Sequence, residues 1–275
     1  NWDGMIVTDW NDIDNLYFRD HIASSKKDAI RLAVNAGIDM AMIPSEGQFC
    51  IDLKELVEEG AVSMERIDDA VRRVLRLKFR LGLFDHPYVV DTKASDKVGG
   101  VDRNMDFVKK MQQQALVLLK NENNFLPLDK QQVKKVLVTG PLADEDNFMT
   151  SRYGPNRLET VTVLAGLRNY LKGTAEVNYV KGCDIVDAGW PSTEILPVPM
   201  NEQEKQGIAE AVAKAKESDV IIAVLGEDEY RTGESRSRTS LDLPGRQQQL
   251  LEALHATGKP VVLVLVNGQP FTINL

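Results

Sequence analysis

Cysteine is scarce in this chain: Cys50 and Cys183 are the two among 275 residues. They lie far apart and have no CxxC or Cys/His companion spacing, which argues against a zinc or redox site. No long apolar run is present either; the longest, such as residues 261–266, are strand-length and far short of a membrane span. Positive charge is outweighed, the net formal charge being -8 at pH 7. The basic residues are scattered, so neither nucleic acid nor an anionic membrane surface is an expected partner. Gly140 and Gly226 each follow an apolar run, but neither opens a G-x-G-x-x-G or a Walker loop, which disfavours a nucleotide-dependent enzyme. No low-complexity tract or period of twenty to fifty residues suggests a solenoid. No basic leader with a cleavage site stands before the first apolar run, and the chain is expected to begin in mid-domain.

What is present is ordinary globular composition, with 27% charged and 43% hydrophobic residues. The stretch Gly4-Met5-Ile6-Val7-Thr8-Asp9-Trp10 reads as a short buried strand that ends in a carboxylate followed by an aromatic. In α/β folds, chemistry is placed at the C-terminal ends of strands. A polar loop follows, and Ser25 then caps a helix through Ile30, Ala33 and Val34 that stops at Gly37. A second strand over 37–43, a helix over 51–59 and a helix capped by Ser63 continue the alternation, which implies a parallel sheet. In that last helix Arg72, Arg73, Arg76, Lys78 and Arg80 interleave with apolar residues, the pattern of a solvated outer face.

Residues 85–105, with Pro87, Gly99 and Gly100, lack periodicity and read as a linker between residues 1–84 and 106–275. After it the pattern predicts a helix over 107–120 and a strand over 136–139. A helix over 161–171 and a strand over 177–180 follow, then a Pro-bearing stretch with Trp190-Pro191. Beyond that come a helix around Ile208 to Ala215, a strand over 220–225, a helix over 247–254 and a strand over 261–266. This is a second α/β domain with a mostly parallel sheet.

The loop after the strand at 220–225 is dense in charge: Glu227, Asp228, Glu229 and Glu234 are interleaved with Arg231, Arg236 and Arg238. Two carboxylates from different strand ends are what glycosidic-bond cleavage requires. One attacks the anomeric carbon while the other protonates the leaving oxygen, with a separation of about 5–5.5 Å for retention and about 6.5–9.5 Å for inversion.

Three stretches, Gly4 to Trp10, Ala36-Gly37-Ile38-Asp39-Met40 and Arg72 to Phe84, resemble the end of the barrel domain of glycoside hydrolase family 3. Leu118-Leu119-Lys120-Asn121-Glu122 with Leu126-Pro127-Leu128 resembles that family's entry into its αβα sandwich domain. Gly233-Glu234-Ser235-Arg236-Ser237-Arg238 through Gly245, and then Gly258-Lys259-Pro260-Val261-Val262, continue the match in family order.

The resemblance implies an α/β architecture: the C-terminal part of a (β/α)8 barrel followed by an incomplete αβα sandwich. It implies that Asp9 is the nucleophile at the end of the seventh barrel strand and that Trp10 walls the sugar subsite. Glu234 is implied as the acid/base, with Glu227 and Glu229 as reserves because its placement varies in the family, and the site would lie between the two domains. Tyr153 is a candidate platform for the leaving group. The implied partner is an oligosaccharide or β-glucoside substrate, with no metal and no organic cofactor, in an exported, periplasmic or extracellular enzyme.

A complete barrel takes roughly 250 residues. About two of its eight units precede the linker here, and the family's sugar-gripping Asp, Lys-His pair and Arg have no counterpart, so the chain is expected to be the middle of a longer enzyme. A β-xylosidase using the same residues and a non-catalytic sugar-binding relative are the alternative readings.

Overall fold

The computed structural model describes residues 2–43, 47–87, 93, 101–146 and 160–273. The chain forms two compact units, Asn1–Val117 and Leu118–Leu275.

In the first unit, β1 (Val7–Trp10) pairs in parallel with β2 (Met40–Met42). Between them run α1 (Asp12–Phe18) and α2 (Lys26–Ala36); α3 (Gln48–Glu58), α4 (Met64–Arg80) and α5 (Val101–Ala115) follow. Local signals set several boundaries. The Ser25 hydroxyl accepts from the Asp28 N–H, and Gly37 closes α2 at φ 113, a left-handed value that suits a residue without Cβ. The Ser63 hydroxyl accepts from the Arg66 N–H in the same way.

The core of this unit is Ile13, Ala29, Ile30, Ala33, Val34, Leu56 and Val62, drawn from α1, α2, α3 and the turn before α4. Among the described residues β1 and β2 form a two-stranded sheet rather than a closed barrel.

Three expectations are corrected here. The polar loop after Trp10 contains α1, whose Ile13 drops into the core. β1 is not buried: Ile6 and Val7 are 43% and 44% exposed, because among the described residues β2 alone pairs with the strand. The helix expected over 107–120 runs over Val101–Ala115, and Leu116 to Leu119 are highly exposed.

Of the basic residues expected on the solvated face of α4, Arg72, Arg76, Lys78 and Arg80 are exposed and Arg73 is partly buried, and Arg73 and Arg76 also bind the backbone. Arg66, Arg73, Arg76 and Arg80 lie at three-, four- and seven-residue steps, which stacks them on a single stripe. Arg66 donates to the carbonyls of Val34 and Ile38, Arg73 to those of Trp2 and Gly4, and Arg76 to that of Asp3. Arg80 pairs with the Asp3 carboxylate at 2.7 Å and holds it below its ordinary pKa. The stripe therefore ties down the chain that leads into β1.

The second unit is a four-stranded parallel sheet in the order β4-β3-β5-β6, from β3 (Lys135–Thr139), β4 (Glu176–Val180), β5 (Val220–Gly226) and β6 (Val261–Val266). Strand alternation splits its residues between two cores. Val136, Val138, Val220, Ile222 and Val224 pack with Leu164 and Leu171 of α6 (Val163–Leu171). Leu137, Ile221, Ala223 and Leu225 pack on the other face with Ile208 and Ala211 of α7 (Glu202–Lys216) and Leu250, Leu251 and Leu254 of α8 (Gln247–His255). Helices thus cover both faces of a parallel sheet, the αβα arrangement. The central strand β5 is buried at every position, as its unbroken apolar run requires.

Candidate active site

In the first unit the register of β1 on β2 places Asp9 just before the strand ends. The Met42 N–H donates to Thr8 Oγ1 at 2.9 Å, and the Asn11 N–H donates to the Met42 carbonyl at 2.8 Å. Asn11 itself turns the chain at φ 61. Asp9 is exposed, and its Oδ1 accepts the N–H of Trp10 at 2.6 Å. The Trp10 side chain is 60% exposed, so its aromatic face is available to pack on the C–H face of a sugar. Of two cavities in this unit, one of about 170 Å³ is lined by Asn11, Phe18 and Phe49, and one of about 270 Å³ lies around Ile38 and Val74; neither is lined by Asp9 or Trp10.

Upstream, Asp39 fixes the start of β1. Its Oδ2 accepts the Ile6 N–H at 2.9 Å and its Oδ1 takes Arg66 at 2.7 Å, while its own N–H donates to the Ile6 carbonyl. Sequence reading placed Asp39 in a motif without a role; its role is to set this strand.

In the second unit the winding reverses between β3 and β5, since β4 lies beyond β3 and β6 beyond β5. Such a switch point opens a crevice at the C-terminal ends of the strands. The loop over residues 227–246 leaves from the end of β5 at that point. Gly226 makes the departure possible: it has φ 142, and a Cβ there would stand 1.8 Å from the Val266 carbonyl oxygen.

The acids of this loop have different environments. Glu227 is buried and accepts from the Gly268 N–H at 3.3 Å and from Gln269 Nε2 at 3.1 Å. Asp228 is buried, pairs with Arg231 and accepts the Tyr230 N–H at 3.1 Å. Glu229 is partly buried, and its Oε2 has no hydrogen-bond partner among the described residues. Glu234 is exposed and rides on a turn between Gly233 at φ 113 and Ser235 at φ 59.

Two of the three arginines are committed to other carboxylates. Arg231 binds Asp228 and lies over the Trp190 ring at 5.0 Å. Arg238 Nε and Nη2 donate to Glu194 Oε1 at 2.7 and 2.5 Å, and its Nη1 is 3.6 Å from Glu227 Oε2. Burial pushes the Glu194 carboxyl upward, but the hydrogen bonds from Arg238 and Thr239 outweigh it and hold the pKa below its ordinary value.

Glu194 and Trp190 were not singled out by sequence as site residues. They sit in an irregular stretch between β4 and α7, where only Trp190-Pro191 stands out. Gln247 was also missed: this fully buried amide accepts the Gly226 N–H and donates to the Gly226 carbonyl, both at 2.8 Å. Tyr153 lies outside the described residues. Among the described residues no group of three or more His, Cys, Asp or Glu is arranged to hold a metal ion.

A parallel α/β fold with an exposed carboxylate at a strand end in the first unit and another on the loop after β5 in the second is the class these observations define. Comparison with known proteins makes it specific. Residues 1–77 match the model of the glycosyl hydrolase family 3 N-terminal domain, and residues 116–275 match that of the family's C-terminal domain. The chain belongs to glycoside hydrolase family 3.

It is 35% identical to a β-xylosidase of Formosa agariphila over 99% of this chain and 37% of the relative. With the periplasmic β-glucosidase of Salmonella typhimurium it shares 36% identity over 98% of this chain and 36% of the relative. Among solved structures, a β-glucosidase of intestinal bacteria involved in saponin metabolism superposes with a TM-score of 0.86 at 32% identity, covering 99% of this chain and 38% of that one. A β-glucosidase of Listeria innocua in complex with isofagomine gives 0.80 at 28% identity, over 98% and 35%. The chain thus spans little more than a third of the length of these relatives.

Proposed function

We propose that the chain carries the two carboxylates of a retaining, exo-acting β-glycosidase that releases glucose from the non-reducing end of a β-glucoside. Residues 1–84 supply the nucleophile strand, residues 85–105 link, and residues 106–275 supply the acid/base. Asp9 attacks the anomeric carbon as the bond to the leaving oxygen breaks, and Glu234 delivers its proton to that oxygen. Glu234 then takes a proton from water, which attacks the glycosyl-Asp9 ester and frees both the sugar and the Asp9 carboxylate. The reaction requires the two carboxyls about 5–5.5 Å apart. Trp10 packs on the glucosyl ring, and Tyr153 receives the leaving group.

One observation supports the choice of Glu234 above the others: among the four acids of residues 227–238 it is the exposed one, on a turn between Gly233 and Ser235, while Glu227 and Asp228 are buried. The test is to treat the full-length protein with an activated fluoroglucoside and sequence the labelled peptide. A glycosyl adduct on Asp9 is expected, and an adduct elsewhere would overturn the assignment.

The β-xylosidase reading is supported by the Formosa agariphila relative. Comparing kcat/KM on aryl glucoside and aryl xyloside separates the two; a preference for the xyloside would replace glucose by xylose with the same two carboxylates. Asp9→Ala is expected to abolish hydrolysis, whereas unchanged turnover would point to a non-catalytic role for this site.

A further inference from the structure

The turn that carries Glu234 is gripped on both sides by one short segment. Arg231, three residues before Glu234, lies over the ring of Trp190. Arg238, four residues after it, puts two nitrogens on Glu194, at 2.7 and 2.5 Å. Glu194 closes the single helical turn Ser192–Glu194 and Trp190 lies two residues before it, so both legs of the loop rest on residues 190–194.

The second leg is the more deeply fixed. The Arg238 and Glu194 side chains are 2% and 9% exposed, and that of Glu227 is fully buried. Arg238 Nη2 also donates to the Asp242 carbonyl at 2.9 Å, and Thr239 Oγ1 donates to the second Glu194 oxygen at 2.9 Å. One guanidinium thereby joins the 190–194 segment, the end of β5 and the return of the loop.

Two nitrogens of one planar guanidinium converge on Glu194 Oε1, which fixes direction as well as distance, as an ammonium on a flexible stem does not. The arrangement also matches the two arginines of the legs with acids. Arg231 is neutralised by Asp228, and Arg238 faces both Glu194 and Glu227, so neither cation is left to stabilise an ionised carboxylate on the turn.

We propose that Arg238 and Glu194, with Trp190 and Arg231 on the opposite leg, are positioning residues that hold Glu234 in the orientation for protonating the leaving oxygen. This rests on the assignment of Glu234 as the acid/base. None of the four needs to touch substrate.

The test uses the full-length protein and two aryl β-glucosides. A dinitrophenolate leaves without a proton, whereas a plain phenolate needs the general acid. With Glu194→Gln and Arg238→Lys, kcat/KM on the phenyl glucoside is expected to fall by about ten-fold or more, within the range that a general acid supplies, while the dinitrophenyl glucoside stays within about two-fold. Trp190→Leu, which frees the other leg, is expected to show the same split should either polar variant fail to fold. Equal losses on both substrates, or no loss on either, in variants that keep the parent's thermal unfolding would overturn the proposal. Glu234→Ala measured in parallel separates the two levels. If it shows the leaving-group split and the bracket variants do not, the positioning role fails alone; if it shows none, the acid/base assignment fails first.

Discussion

Arg66 reaches the Asp39 carboxylate at 2.7 Å, and the Asp39 side chain is 1% exposed, so a residue of α4 fixes the acid that receives the N–H of Ile6 just ahead of β1. Two charges in so little water are held because their remaining capacity is met: Arg66 also bonds the carbonyls of Val34 and Ile38. Asp39→Ala leaves the Arg66 guanidinium without its buried partner and the Ile6 N–H without its acceptor. A loss of about 3 kcal/mol or more in the stability of this unit is expected. Chemical denaturation of the full-length protein followed by a probe in this unit checks it, and a change within experimental error would show that the pair is dispensable.

Gln247 is the corresponding element of the second unit. Its amide serves Gly226 twice and the Ile185 carbonyl once, at 2.9 Å. Gln247→Leu keeps the volume and strands these groups in a buried site. At about 1–3 kcal/mol for each of three unsatisfied buried groups, a loss of about 3 kcal/mol or more is expected. Urea denaturation measures the loss, and stability equal to the parent's would mean that the amide is dispensable.

The two cysteines should separate cleanly in reactivity. Cys50 is exposed; Cys183 is buried, and burial pushes its thiol up to about 12. A thiolate-directed reagent at mildly alkaline pH is expected to titrate one thiol in the folded protein and both in denaturant. Two fast equivalents under native conditions would contradict the burial of Cys183.

Acid should weaken the bracket around the Glu234 loop. The Glu194 carboxyl titrates below its ordinary value of 4.5, so its contribution to stability is complete above that value and is lost as pH falls through the lower, folded one. Unfolding midpoints of parent and Glu194→Gln measured down the acid range should differ near neutrality and converge in acid. A constant gap between them would mean that Glu194 ionisation contributes nothing.

Much of the fold was legible because the signals are local. Ser25, Ser63 and Gly37 announce helix ends through chemistry confined to one turn, and the run at 220–225 is apolar at every position because β5 has helices on both faces. β1 misled for the opposite reason. Its apolar residues describe a covered strand, yet among the described residues β2 is its only strand neighbour, and Ile6 and Val7 stay exposed. α1 was hidden because seven residues with two acids and an asparagine show no clear stripe.

At the candidate site, sequence supplied Asp9, Trp10 and Glu234 through their motifs. It could not show that Arg238 turns to Glu194, 44 residues away, or that Gln247 belongs to Gly226. Those partnerships depend on where the loop folds back, which no local pattern encodes.

The Gln247 amide has a consequence beyond stability. It pins Gly226 beside the first turn of α8, so residues 227–246 leave and re-enter the sheet at nearly one point. For a loop with tied feet, the closure cost rises only slowly with length, and the sheet beneath need not register what happens at the tip. Insertions, deletions and relocated carboxylates can therefore be tried at the tip, between Arg231 and Arg238, without disturbing β5 or α8. In evolutionary terms the clasp separates foldability from catalytic experiment, and it marks this loop as the place to graft a new acid when redesigning the enzyme.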